Sequence, residues 1–232
     1  MKYSEKITRE QLCRLIDHTN LKAYADKEML RTLCEEAKEN HCAMVAINSS
    51  PVSYCKELLK DTDVHVGAAI SFPLGQTTIN TKVFEAQNAI ESGADEIDYV
   101  INIGELKNKN YSYIESEMKA MVEVCRENNV ISKVILEICY LTEDEIKKVS
   151  EIARKVKPDY IKTSTGFGPS GAVKETVKLM KDCVGESVKV KAAGGINSWK
   201  VCREMIDVGA ERIGTSSTLK ILREFDEERA GK

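Results

Sequence analysis

The chain has 232 residues, 42% of them hydrophobic and 31% charged, with a formal net charge of −3. That length suits one α/β barrel as well as one or two smaller domains, and the near-neutral balance excludes a general attraction to nucleic acid. No stretch approaches the roughly 18 apolar residues of a membrane span, and the opening MKYSEKITREQLCRLIDH lacks the apolar core of a secretory signal, so a cytoplasmic protein without membrane or nucleic-acid partners is expected.

Short apolar runs alternate with amphipathic stretches along the whole chain. Strands are predicted at 15–19, 43–48, 64–71, 95–102, 132–138, 159–163, 188–193 and 211–216. The first is ambiguous, since a short helix over 8–16 explains nearly the same residues. Between strands, Leu30, Leu33, Cys34 and Ala37, and later Ile146, Val149, Ile152, Ala153 and Val156, recur at helical spacing, as stripes that would cover a sheet. Gly93, Pro158, Gly185 and Gly209 punctuate the units, and no Pro/Ser-rich linker interrupts them, so residues 1–232 are expected to form one domain. Eight strand–helix units predict an α/β fold of the TIM (β/α)8-barrel type with a short extra N-terminal helix; a doubly wound open sheet shares the alternation and remains the alternative.

Strand side chains alternate between faces. Ile97, Tyr99 and Ile101 then share the helix-facing side while Asp98, Val100 and Asn102 look inward, and Val134, Leu136 and Ile138 oppose Lys133, Ile135 and Glu137. Parallel strands buried on both faces normally read as continuous apolar runs. Here the inner face carries Asp17, Asn48, Asp98, Asn102, Lys133, Glu137, Lys162 and Lys191, with three lysines formally balanced by three carboxylates. Any one of these could belong to a structural ion pair. Lys162 and Lys191 on neighbouring strands are harder to explain structurally, because like charges repel.

A free lysine, with a pKa near 10.4, is a neutral amine in only about one copy in 2,500 at pH 7. A second ammonium and partial desolvation lower that value, and a fall of about three units corresponds to roughly 4 kcal/mol. Paired lysines therefore suggest Schiff-base chemistry, with Asp98 as a proton-relay carboxylate. The turns TGFGPSG, AAGG and GTSS each lead into a helix, where backbone N–H groups can hold a phosphate. The eight cysteines form no CxxC pair and have no zinc-like spacing to His18, His41 or His65, so reduced thiols and no metal are expected.

IDHTNLK, DEIDYVINIG, SKVILEI, KTSTGFGPSGA and VKAAGGI, in this order along the chain, resemble the deoxyribose-phosphate aldolase family over nearly the whole chain. The resemblance implies a class I aldolase without a cofactor, which interconverts 2-deoxy-D-ribose 5-phosphate with D-glyceraldehyde 3-phosphate and acetaldehyde in deoxyribonucleotide catabolism. It implies Lys162 as the Schiff-base lysine, Lys191 as its perturbing partner and Asp98 as the relay. Asp17 and Lys133 fall on supporting positions, and Gly166, Gly194, Gly195, Ser216 and Ser217 on the phosphate loops. A homodimer is also implied. Three features depart from the pattern: Ala46 stands where many relatives have cysteine, Phe167 where some have lysine, and the end REFDEERAGK lacks a terminal tyrosine.

Overall fold

The structure, a computed structural model, describes residues 2–231. Two short helices, α1 (Tyr3–Lys6) and α2 (Arg9–Cys13), precede the first strand. Eight strands follow: β1 (Ile16–Thr19), β2 (Met44–Asn48), β3 (His65–Ile70), β4 (Glu96–Val100), β5 (Ile131–Ile135), β6 (Tyr160–Lys162), β7 (Lys189–Ala193) and β8 (Arg212–Thr215). The helices α3 (Lys27–Glu39), α4 (Val52–Leu58), α5 (Ile79–Glu91), α6 (Ile103–Lys107), α7 (Tyr111–Glu127), α8 (Glu143–Val156), α9 (Lys174–Val184), α10 (Trp199–Asp207) and α11 (Thr218–Ala230) lie between and after them.

Each strand pairs in parallel with the next, and β1 pairs with β8 through Ile16↔Ile213, Asp17↔Gly214 and His18↔Thr215. That last pairing closes the barrel and rules out the open sheet. The ambiguous opening contains both predicted elements in succession. Thr8 and Gln11 form a reciprocal capping box that starts α2, and the chain then turns into β1.

Closure gives the two strand faces different surroundings. Val45, Ile47, Val66, Ala68, Ile97, Tyr99, Val134, Ile161, Val190 and Ile213 point outward into one buried apolar shell. The helix stripes of Leu30, Leu33 and Ala37 on α3, Met118, Met121 and Cys125 on α7, and Ile146, Val149 and Ala153 on α8 complete it. Removing this apolar area from water is the main favourable term of the fold. Side-chain caps fix where helices begin: Asp26 accepts from Met29 N for α3 at 2.9 Å, and Thr142 accepts from Glu145 N for α8 at 3.3 Å. All eight cysteines are free thiols, six of them buried. Among the described residues no helix is long and apolar enough to cross a membrane.

Two positions expected on inner strand faces lie beyond the strands. Asn102 is the N-cap of α6, where its side chain accepts from Glu105 N at 3.2 Å. Glu137 follows β5 with a left-handed φ of 55°. β4 gives way to the α6 cap that Asn102 forms, and β5 ends ahead of the left-handed backbone at Glu137, whose side chain holds the loop after β6.

Outside the barrel, Lys82 on α5 and Glu117 on α7 form a wholly buried pair at 2.6 Å. Lys82 Nζ also donates to Val100 O at 2.5 Å, and Glu117 Oε2 accepts from Asn102 N at 3.0 Å. The pair therefore clamps the backbone at the carboxyl end of β4. Lys82→Ala should lower stability by about 3–5 kcal/mol, because it leaves the Glu117 carboxylate buried without its cation. Urea unfolding checks this; a loss below about 1 kcal/mol would mean that the clamp contributes little.

Candidate active site

The barrel interior is organised around Asp98 at the middle of β4. Its Oδ1 accepts from Lys133 Nζ on β5 at 2.7 Å. Its Oδ2 accepts from both Lys162 Nζ on β6, at 2.8 Å, and Lys191 Nζ on β7, at 2.6 Å. Lys162 and Lys191 are register partners across β6 and β7, so strand alternation alone sends both side chains to the same place. The expected pairing of the two lysines and their approach to Asp98 are both present.

Further contacts extend toward the amino ends of the strands. Lys191 Nζ meets Asp17 Oδ2 at 2.5 Å, Arg212 meets Asp17 Oδ1 at 2.7 Å and Glu96 Oε1 at 3.2 Å, and Lys133 also pairs with Glu96. The expected three-against-three balance is therefore corrected. Glu137 is not part of the cluster; it accepts from Thr165 N at 3.2 Å and from the Thr165 hydroxyl, so it holds the loop after β6. Glu96 and Arg212 are part of it, which leaves four cations on three carboxylates. Their signal was legible, since each lies two residues before an inward position, Asp98 or Gly214.

Burial and charge set the protonation of the cluster. Burial pushes the Lys162 ammonium down from its ordinary range to about 8; Asp98 opposes the shift, while Lys191 and Lys133 reinforce it. Burial pulls the Asp98 carboxyl upward, but Lys133, Lys162 and Lys191 outweigh it and hold Asp98 well below the usual range. Lys133 moves the other way from Lys162: burial opposes its charge, yet Asp98 and Glu96 raise it above the ordinary lysine range. Within one cluster, then, one lysine is held charged and another is poised to lose its proton.

Access separates the lysines as well. A cavity of about 590 Å³ opens at the carboxyl ends of the strands and is lined by Lys162. Lys133 and Lys191 are fully buried and do not line it. The Phe72 ring lies 5.3 Å from Lys162 Nζ. Gly214 makes room for the lysine beside it, because a Cβ there would lie 3.2 Å from Lys191 Cε and 2.9 Å from Ala193 Cβ.

Gly166, Gly194, Gly195, Ser216 and Ser217 all line the same cavity. Their loops are tied to one another. Thr163 Oγ1 donates to Ala193 O at 2.9 Å, Ala172 N donates to Gly194 O at 3.0 Å, and Thr215 Oγ1 donates to Ile196 O at 2.6 Å. Gly194 has a φ of +86°, and a Cβ on Gly171 would fall 2.2 Å from Gly194 O, so close backbone approach demands glycine at both places. Ser217, the N-cap of α11, makes no side-chain capping bond and lines the cavity, so the amino end of this helix starts at its edge. An anion would find unpaired backbone donors there. His18 and Glu36 line the same cavity, and the His18 ring bonds Thr218 Oγ1 at 2.7 Å and Glu36 Oε2 at 2.7 Å. The motif IDHTNLK contains His18, but among its residues only Asp17 is assigned to the site from the sequence. Ala46 is buried on β2, and Phe167 is exposed at the rim.

Residues 12–224 match the family model described as DeoC/LacD family aldolase. The chain is 58% identical over 216 residues to the deoxyribose-phosphate aldolase of Lactobacillus acidophilus, which covers 93% of this chain and 91% of the relative. It is 48% identical over 218 residues to that of Thermococcus kodakarensis, covering 93% of this chain and 97% of the relative. Among solved structures, the tetrameric deoxyribose phosphate aldolase of Aeropyrum pernix matches with a TM-score of 0.89 at 29% identity, covering 95% of this chain and 93% of that one. A barrel interior built on lysines, a cavity ringed by glycine turns and a match over almost the full length lead to one conclusion: the chain belongs to the DeoC/LacD aldolase family.

Proposed function

We propose that the protein is a class I aldolase that reversibly cleaves 2-deoxy-D-ribose 5-phosphate to D-glyceraldehyde 3-phosphate and acetaldehyde, with Lys162 as the Schiff-base residue. The observation that carries the reading is one buried carboxylate oxygen bonded by two lysines, of which only Lys162 borders the cavity. The substrate is the one named for the relatives at 58% and 48% identity.

In this reading the phosphate rests on the glycine turns around Gly166, Gly194 and Gly195 and on the start of α11 at Ser216 and Ser217. That anchoring directs the sugar aldehyde toward Lys162. The neutral amine attacks C1, and loss of water leaves a protonated imine. Removal of the C3 hydroxyl proton then breaks the C2–C3 bond; the bonding electrons move into the iminium and form an enamine, while glyceraldehyde 3-phosphate leaves. A proton returned to C2 restores the imine, and its hydrolysis frees acetaldehyde and the amine. Asp98 and Lys191 move the protons, directly or through water. Asp17 and Lys133 hold these groups in place. The same reading places the enzyme in cytoplasmic deoxyribonucleotide catabolism, as one domain. It also includes self-association into a homodimer, for which the exposed Leu74 and Phe84 offer apolar surface.

Borohydride reduction in the presence of acetaldehyde should fix the label on Lys162, and Lys162→Met should lose both the label and turnover. A label on Lys191 would reverse the two roles, and a much faster reaction with a larger phosphosugar or a keto acid would displace the substrate. Because the reactive form is the neutral amine and burial brings Lys162 down to about 8, kcat/KM should rise about tenfold per pH unit below that value and level off above it. A flat profile from pH 6 to pH 9 would contradict this. Asp98→Asn should lower kcat by about 10²–10⁴ while leaving the binding of inorganic phosphate within about twofold; equal losses in both would make Asp98 structural.

A further inference from the structure

The ionic cluster holds one more positive charge than it can pair. Lys133, Lys162, Lys191 and Arg212 meet Asp17, Glu96 and Asp98 through an unbroken chain of contacts. All seven side chains are at most 8% exposed, so solvent screens the surplus poorly. An unpaired charge in such a place is relieved by losing a proton from the cation held least firmly. Arginine does not give up its proton at accessible pH. Lys133 pairs with both Glu96 and Asp98, and Lys191 with both Asp17 and Asp98. Lys162 makes a direct ion pair with Asp98 only, on an oxygen that it shares with Lys191, while Glu137 acts on it without contact and is held by Thr165. Loss of its proton leaves three cations on three carboxylates.

Charge balance therefore singles out two residues that do not line the cavity. Arg212 and Glu96 begin β8 and β4, at the amino-terminal end of the barrel, and neither borders the cavity that contains Lys162. Asp17, Glu96 and the Tyr160 ring face the Arg212 guanidinium, and Lys133 repels it across the shared carboxylates. His65 reaches Glu96 Oε1 from the solvent side at 2.8 Å. Around Lys162 itself stand Asp98, Lys133, Lys191 and Glu137.

We propose that Arg212 and Glu96 are positioning residues that set the proton count of the site: Arg212 supplies the fixed charge that expels the proton from Lys162, and Glu96 limits the surplus to one. The inference rests on the imine at Lys162 proposed above and adds a control acting from strand starts outside the cavity wall.

The test is the acid limb of kcat/KM against pH for 2-deoxy-D-ribose 5-phosphate. Arg212→Met removes the surplus, so the limb should move up by about one pH unit, with about tenfold less activity at pH 7 and the alkaline plateau retained. Glu96→Gln enlarges the surplus and should move the limb down. The double variant restores a surplus of one, and its limb should return to the parental position, as compensation within one coupled network requires. His65→Asn separates the release of His65 from the loss of the Glu96 charge. A merely structural role would lower kcat or stability in both single variants without opposite shifts; limbs that stay in place, or that move in the same direction, overturn the proposal. If Arg212→Met does not fold, Arg212→Lys, which keeps the charge, should hold the limb in place, and Glu96→Gln alone must still move it down. Failure of the aldolase reading looks different: the parental protein would form no borohydride-reducible adduct on Lys162.

Discussion

Asp98 holds three ammonium groups on two carboxylate oxygens, and much of the remaining structure makes this contact possible. A carboxylate so surrounded stays ionised even when fully buried. Its bonds are also unequal. Lys133 has Oδ1 to itself, whereas Lys162 and Lys191 compete for Oδ2. Competition for one acceptor is what makes Lys162 the weakest link in the cluster, and burial does the rest.

The architecture places two different cores around each other. The outer shell, between strands and helices, is apolar and supplies the driving force for folding. The inner core is ionic, and a buried ionic core stabilises a fold less than a well-packed apolar one would. Leu, Ile and Val in the barrel centre would give a more robust protein with nothing to react. The clamp of Lys82 and Glu117 on the end of β4 shows ion pairing of the other kind, with one cation and one carboxylate, each satisfied by backbone as well. The balanced pair fixes a position, and the unbalanced cluster sets a protonation state.

Access divides the labour among chemically similar side chains. Lys133, Lys162 and Lys191 are all buried, but only Lys162, at the last residue of β6, reaches the cavity. The glycine turns beyond β6 and β7 and the start of α11 form the wall of that cavity, tied together by Thr163, Ala172 and Thr215. Under the proposed function, this wall holds one end of the substrate while the amine meets the other. The phosphate subsite and the nucleophile then stay in fixed relation because both hang on the same closed set of strands.

Much of this was legible from residue order. The alternation of Val188, Val190 and Ala192 with Lys189 and Lys191, or of Ile97 and Tyr99 with Asp98, states which side chains face the helices, because strand geometry has a fixed period of two. KTSTG and KAAGG mark the lysines and the glycine turns in the residue order alone. Glu96 and Arg212 were equally readable by the same period, yet at strand starts they look like ordinary surface charges. Glu137 and Asn102 misled, since the period holds only while the strand lasts, and their side chains serve turns instead.

The sequence by itself determined the eight strand–helix units, the faces of the strands and the identity of the inward lysines, all of which follow from local periodicity and turn chemistry. Only the tertiary structure decided that the sheet closes through β1 and β8, that Asp98 Oδ2 is shared, and that four cations face three carboxylates. Those facts depend on distances between residues as far apart in the chain as Asp17 and Arg212. Electrostatic energy depends on separation in space and on the exclusion of water, and neither quantity is written in a linear order of residues.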